Sequence, residues 1–135
     1  MDILVLIGRI LFSALFLQSA VGHFTQTKAM SQYAASKGVP MAYWATFAGG
    51  FPLALGGLSV LLGIWADLGS LLIVLFMLPT AVLMHGFWRE TGEARMHEQI
   101  QFNKDLALGG AGLALAGLFS IAGDNLGLTI TGPLF

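Results

Sequence analysis

Apolar residues run along this chain in four long blocks, with no strand-like alternation competing. The blocks extend from about Ile3 to Gly22, Met41 to Ile64, Leu68 to His85 and Leu106 to Ala122. A bilayer-spanning helix takes roughly 20 mostly apolar residues, and each block is bounded by polar or turn residues. Lipid offers no water to satisfy backbone N–H and C=O groups, so a helix, which pairs its own, is the natural crossing element. The pattern therefore predicts an all-α, integral membrane four-helix bundle, a single domain over residues 1–135.

The connections differ in length. In "HFTQTKAMSQYAASKGVP", Met30, Tyr33 and Ala34 fall at helical spacing before Gly38 and Pro40 stop the pattern. This predicts a short interfacial helix between spans one and two. "WADLG" reads as a tight turn. The third connection, Gly86 to about Asp105, is long, and "GEARMHEQIQF" within it reads as a helical approach to span four. Gly49, Gly56 and Gly63 recur every seven residues, with Gly50 and Gly57 beside them. Gly109, Gly110, Gly112 and Gly117 lie in span four. Small residues let membrane helices approach closely, so these positions are expected at packing seams. Pro52 and Pro79 sit inside spans, and a bend at Pro79 would steer His85.

Composition narrows the function classes. Hydrophobic residues make up 56% of the chain and charged residues 10%, against about 25% charged in soluble domains. A net charge of −1 gives no basis for a nucleic-acid partner. With no cysteine, disulfides and thiolate chemistry are excluded. Asp2 and Arg9 argue against a signal peptide in the first block, although "AVG" before His23 would pass as a cleavage site.

Seven of the thirteen charged residues fall in "LMHGFWRETGEARMHEQIQFNKDLAL", residues 83–108. Four spans put the first and third connections on one side, so His23, His85 and His97 share that side with Lys28, Lys37, Arg89, Arg95 and Lys104. Glu90, Glu93, Glu98 and Asp105 join them, whereas Asp2, Arg9, Asp67 and Asp124 lie opposite. Tyr43, Trp44 and Trp88 on one side and Trp65 on the other suit interfacial belts. The charged cap has two readings: a solvated loop, or a pocket at the bundle mouth built from His23, His85, Trp88, Arg89, His97 and Lys104. Imidazole exchanges protons near neutral pH. Arg or Lys holds an anion or a quinone carbonyl. The His and Glu spacings match no zinc signature, so no metal is expected. Arg9, Asp67 and Asp105 are the intramembrane charges. Arg9 either snorkels to the interface or pairs with Asp67 or Asp124. Lys104 and Asp105, about 100° apart on a helix, place one or both toward the bundle or its aqueous mouth. Basic residues in short connections mark the cytoplasmic side, which puts both termini outside.

The successive stretches "GRILFSALFLQSAVGHF", "AASKGVPM", "LGGLSVLLGIWA", "HGFW" and "QFNKDLALGGAGL" resemble, in order, the landmarks of the DoxX family. The resemblance runs from about Gly8 to Gly117. It implies a small four-helix protein of the bacterial inner membrane, similar to a thiosulfate:quinone oxidoreductase subunit or to members linked to redox stress and to quinone and catechol tolerance. Arg9, His85, Trp88, Lys104, Gly109 and Gly110 match family landmarks. Two departures stand out: "FPLALGG" lacks the glutamate that members often carry before the paired glycines, and "GIWAD" places Asp67 where a basic residue is common. Three functions stay open: a redox component working with a quinone or a soluble redox partner, a non-catalytic scaffold for such a partner or a homo-oligomer, and a small transporter. No flavin, haem or iron–sulfur motif is present, so electrons would come from a partner or a bound quinone. A transporter needs a polar mid-membrane path, which these spans lack.

Overall fold

The computed structural model describes the whole chain, Met1 to Phe135. It is built from helices α1 (Asp2–Thr25), α2 (Thr27–Ser36), α3 (Ala42–Leu62), α4 (Ala66–Met84) and α5 (Gly92–Ala122), with 3-10 turns at Phe87–Arg89 and Gly123–Asn125. Helices α1, α3, α4 and α5 are each long and apolar enough to cross a membrane. Their outward faces carry exposed Leu11, Leu55, Leu75 and Ile121. A water-soluble protein does not tolerate so much contiguous apolar surface, whereas lipid is a good solvent for it. The chain is an all-α, multi-pass membrane bundle.

Neighbours pack in the order α1–α3–α4–α5, and α2 lies across the end of α3. Phe16, Ala20, Leu53, Val60, Ile73 and Met77 form the core where α1, α3 and α4 meet. Glycines set how closely these helices approach. A Cβ on Gly56 would stand 2.8 Å from the Gly69 carbonyl oxygen and 2.7 Å from Ile73 of α4. Gly49 faces Phe76 of the same helix, while Gly50 and Gly57 face Phe24 and Leu17 of α1. The glycine seam of α3 is thus two seams, one per neighbour. On α5, Gly109 and Gly112 face Leu78 and Val74 of α4, but Gly110 and Gly117 have open space. Gly110, expected in a seam, lies one residue and about 100° off it.

The turn between α3 and α4 is closed from several sides. Gly63 ends α3 with φ +67°, a conformation that glycine adopts without strain. Ser59 Oγ donates to the carbonyls of Ile64 and Trp65. The C-terminal segment folds back over this end. Ile130 and Thr131 amides donate to the Gly63 carbonyl, and the Leu134 and Phe135 amides donate to Asp67 Oδ2.

Arg9 lies beneath that plug, 1% exposed. It neither snorkels nor pairs with an acid. Its guanidinium donates to the carbonyls of Val60, Leu61 and Leu128 at 2.8, 2.8 and 2.7 Å. Val60 and Leu61 end α3, where the last carbonyls lack intrahelical partners and the helix dipole is negative. A cation with five donors in a fixed fork satisfies both conditions. Asp67, considered as its partner, instead receives the tail amides.

Candidate functional site

A cavity of about 720 Å3 occupies the opposite end of the bundle, between α1, α2, α3, α4 and the first turns of the α5 span. Phe16, Leu53, Phe76, Met77 and Leu108 line its apolar depth, and Ser19, His23, Tyr33, Thr46, Thr80, His85, Lys104 and Asp105 supply polar groups. Small-molecule sites are concave, mostly apolar and of about 300–1,000 Å3, with a few placed polar atoms.

The polar end is held by a network between helices. His85 terminates α4, its backbone N–H donating to the Ala81 carbonyl. Its Nδ1 donates to Glu98 Oε2 of α5 at 2.7 Å. Glu98 Oε1 accepts from Tyr33 Oη of α2 and from Lys37 Nζ at 3.0 Å. Lys37 also bridges to Glu90 at 2.9 Å. One carboxylate thus ties together α2, α4 and α5. Glu98 lies about two turns before the apolar run that begins near Leu106, outside the spanning segment. Burial opposes its ionisation, but hydrogen bonds from Tyr33, His85 and Lys37 outweigh that and hold the carboxyl at about 2 instead of the usual 4.5. The hydrogen bond to Glu90 raises Lys37 above its ordinary value, helped by Glu98 and against the pull of burial. Burial, then Glu98, raises Tyr33.

Both cavity histidines have one nitrogen fixed. His23 Nδ1 donates to the Ser19 carbonyl at 2.8 Å, and its ring packs edge-on to Phe76. With Nδ1 committed, Nε2 is the free acceptor of a neutral ring. His85 Nε2 stands 3.7 Å from Asp105 Oδ2. Asp105 is buried, and that oxygen has no hydrogen-bond partner. Lys104 Nζ, at the rim, donates to Gln101.

Of the residues expected at the mouth, His23, His85 and Lys104 line the cavity. Arg89, His97 and Trp88 do not. Arg89 Nη2 donates to the carbonyls of Val82 and Leu83, capping α4 instead of reaching inward, and it borders a separate shallow polar groove with Lys37 and Glu90. His97 is exposed on the outer face of α5. Trp88 is half exposed and packs on Phe87 and Phe102. Asp105, expected to face the bundle or its mouth, lines the cavity; the residues not anticipated at the site are Glu98 as its organising carboxylate and Tyr33 and Lys37 as its donors, although Glu98 and Asp105 could have been read together. Glu98 and Asp105 are seven residues apart and continue the buried face of Gly109, Gly112, Ala116 and Phe119.

Comparison with known proteins gives two matches. The sequence profile of the DoxX family matches residues 4–86, ending before α5. The inner membrane protein YphA of Escherichia coli (strain K12) is 30% identical over 114 residues, covering 84% of this chain and 81% of that protein. No solved structure matches.

Proposed function

This chain belongs to the DoxX family, and on that premise we propose that it is the ligand-binding component of a membrane redox system, holding a quinone-class molecule at the mouth of its bundle. It is a multi-pass protein of the bacterial inner membrane. The observation that carries the reading is the cavity itself: an apolar volume of about 720 Å3 whose one polar end presents His23, His85, Lys104 and Asp105. A ring bearing oxygen substituents fits there, with its hydrocarbon part against Phe16, Leu53 and Phe76. His85, fixed at Nδ1 by Glu98, can give or take a proton at Nε2. Electrons come from a partner, because the chain carries no redox-cofactor motif of its own. A soluble redox enzyme docked on the charged side of the bundle fills that role.

Purification from native membranes followed by lipid and quinone analysis tests this. A co-purifying quinone-class molecule is expected. His23→Ala and Lys104→Ala should each lower its retention with little change in melting. The double variant should be non-additive, because both groups act on one ligand. Protein that carries no such molecule, with both variants silent, would leave the scaffold reading in its place.

A further inference from the structure

A serine or threonine inside a helix can bond back to a carbonyl of the preceding turn. Thr25, Ser70, Thr80 and Ser120 do so here, each to the carbonyl four residues earlier. Thr80 lines the cavity and is committed in this way. Ser19 and Thr46 line it too, but neither hydroxyl bonds to a protein group. Thr46 is only 8% exposed, and a polar group so buried normally has a partner. The hydroxyl of Ser13 is also unpartnered, but it is sealed inside the protein. Those of Ser19 and Thr46 are not sealed, and the space they border is the cavity.

The two hydroxyls stand at different depths along one wall. A Cβ on Gly49 of α3 would meet His23 Cδ2 of α1 at 3.4 Å, which sets His23 level with Gly49. Helix α1 runs toward the mouth and α3 away from it. Thr46 therefore lies about one turn nearer the mouth than His23, and Ser19 about one turn deeper.

We infer that Ser19 and Thr46 are specificity-determining residues of the cavity, whose hydroxyls hold neutral oxygens of the ligand and so select an oxygen-bearing ring over a hydrocarbon of the same shape. The inference rests on the cavity being a ligand site, as proposed above. A hydroxyl carries one donor and two acceptor positions. It donates to a ligand carbonyl and accepts from a ligand hydroxyl, with no change of charge on the protein. Oxidised and reduced forms of a quinone-class ring therefore both keep the contact. A hydrocarbon leaves both hydroxyls unpaired.

The test uses two probes of nearly one shape, tetramethyl-1,4-benzoquinone and hexamethylbenzene, with the full-length protein in nanodiscs. Empty nanodiscs correct for partitioning into lipid. Wild type should bind the quinone more tightly. Thr46→Val replaces the hydroxyl by a methyl, and Ser19→Ala deletes it. Each should weaken quinone binding about threefold to tenfold and leave hexamethylbenzene binding unchanged. Thr46→Ser keeps a hydroxyl and should keep the quinone affinity. Should Thr46→Val fail to fold, Thr46→Ala is read by the same ratio of the two probes. Equal wild-type binding of the probes, or variants that shift both probes alike or neither, overturns the hydroxyl contacts while leaving the cavity a ligand site. Saturable binding of neither probe defeats both.

Discussion

Replacing Arg9 tests a buried cation held by three backbone carbonyls. Its guanidinium meets three backbone carbonyls at 2.7–2.8 Å and is 1% exposed. Arg9→Leu deletes all three bonds and leaves the last α3 carbonyls orphaned beneath the C-terminal plug. Each buried carbonyl left without its donor costs about 1–3 kcal/mol, so the total loss is on the order of 3–5 kcal/mol. Arg9→Lys keeps the charge but replaces a planar fork with a point donor on a shorter reach. Losing one or two of the three bonds costs about 1–3 kcal/mol. For a chain of this length each kcal/mol moves the melting point by roughly 3 °C. The expected order is wild type, then Lys about 5 °C lower, then Leu lower by on the order of 10 °C. The assay is thermal melting of the purified proteins in one detergent, with hydrogen exchange followed at Leu62 to Trp65. Faster exchange there would report fraying of the α3 terminus. Melting points within about 2 °C of one another would refute the capping role and restore simple snorkelling.

Three further outcomes follow from the geometry. Glu98 is held at about 2 against an ordinary 4.5, so its contribution to stability is present above about pH 4.5 and is lost as pH falls from there toward 2. Lys37 and Tyr33 are raised, so their contributions decline as pH climbs past about 10. Melting scans against pH should fall on both limbs, and Glu98→Gln should flatten the acid limb; an unchanged acid limb contradicts the network. Gly56→Ala pushes a methyl to 2.8 Å from the Gly69 carbonyl oxygen and should cost about 1–3 kcal/mol in detergent unfolding, while Gly110→Ala, in open space, should be silent or stabilising. Basic residues in short connections favour the cytoplasmic side, and five of the six lie in the first and third connections or at the start of span four, so a reporter active only in the cytoplasm and fused after Phe135 is expected to stay dark; an active reporter reverses the orientation.

Hydropathy made the four spans readable, because lipid filters sequence severely and leaves a run of about 20 apolar residues wherever the chain crosses. The α2 helix was readable from Met30, Tyr33 and Ala34. Its position over the cavity was not, since no local pattern says how an amphipathic helix folds across the end of a bundle. The histidines show the same boundary. Counting crossings put His23 and His85 on one side, where both line one cavity. His97 shares that side, but it stands one residue before Glu98, about 100° around the helix, and faces water. Lys104 and Asp105 divide the same way, Asp105 inward and Lys104 at the rim. Helix phase, carried back along α5 from Gly112 and Gly109, would have selected Asp105 and Glu98 over His97. Arg9 was illegible for another reason. Side-chain charges are visible in a sequence, so an acid was sought for it, whereas its partners are carbonyls that every residue possesses. Only chain ends or turns free such carbonyls, and where α3 stops becomes definite only with Gly63 and the returning tail in place.

The two ends of the bundle divide its work. At the Arg9 end, polar contacts run across elements: the guanidinium takes three carbonyls, Asp67 Oδ2 takes two amides while its Oδ1 stays unpartnered, and the tail covers both residues. Such a network fixes one arrangement of α1, α3, α4 and the C-terminal segment, and leaves little space for a ligand. At the other end α2 bridges the opening, and Glu98 ties α2, α4 and α5 together beside a mostly apolar cavity. There Asp105 Oδ2 is buried without a partner, 3.7 Å from His85 Nε2. A bundle needing only to span lipid would gain stability by filling that void with side chains. Instead the buried carboxylate of Glu98 ties α2, α4 and α5 together beside the cavity. On the function proposed above, the cavity and the carboxylate beside it form the ligand end of the bundle, and the closed end supplies the rigidity against which that opening is held.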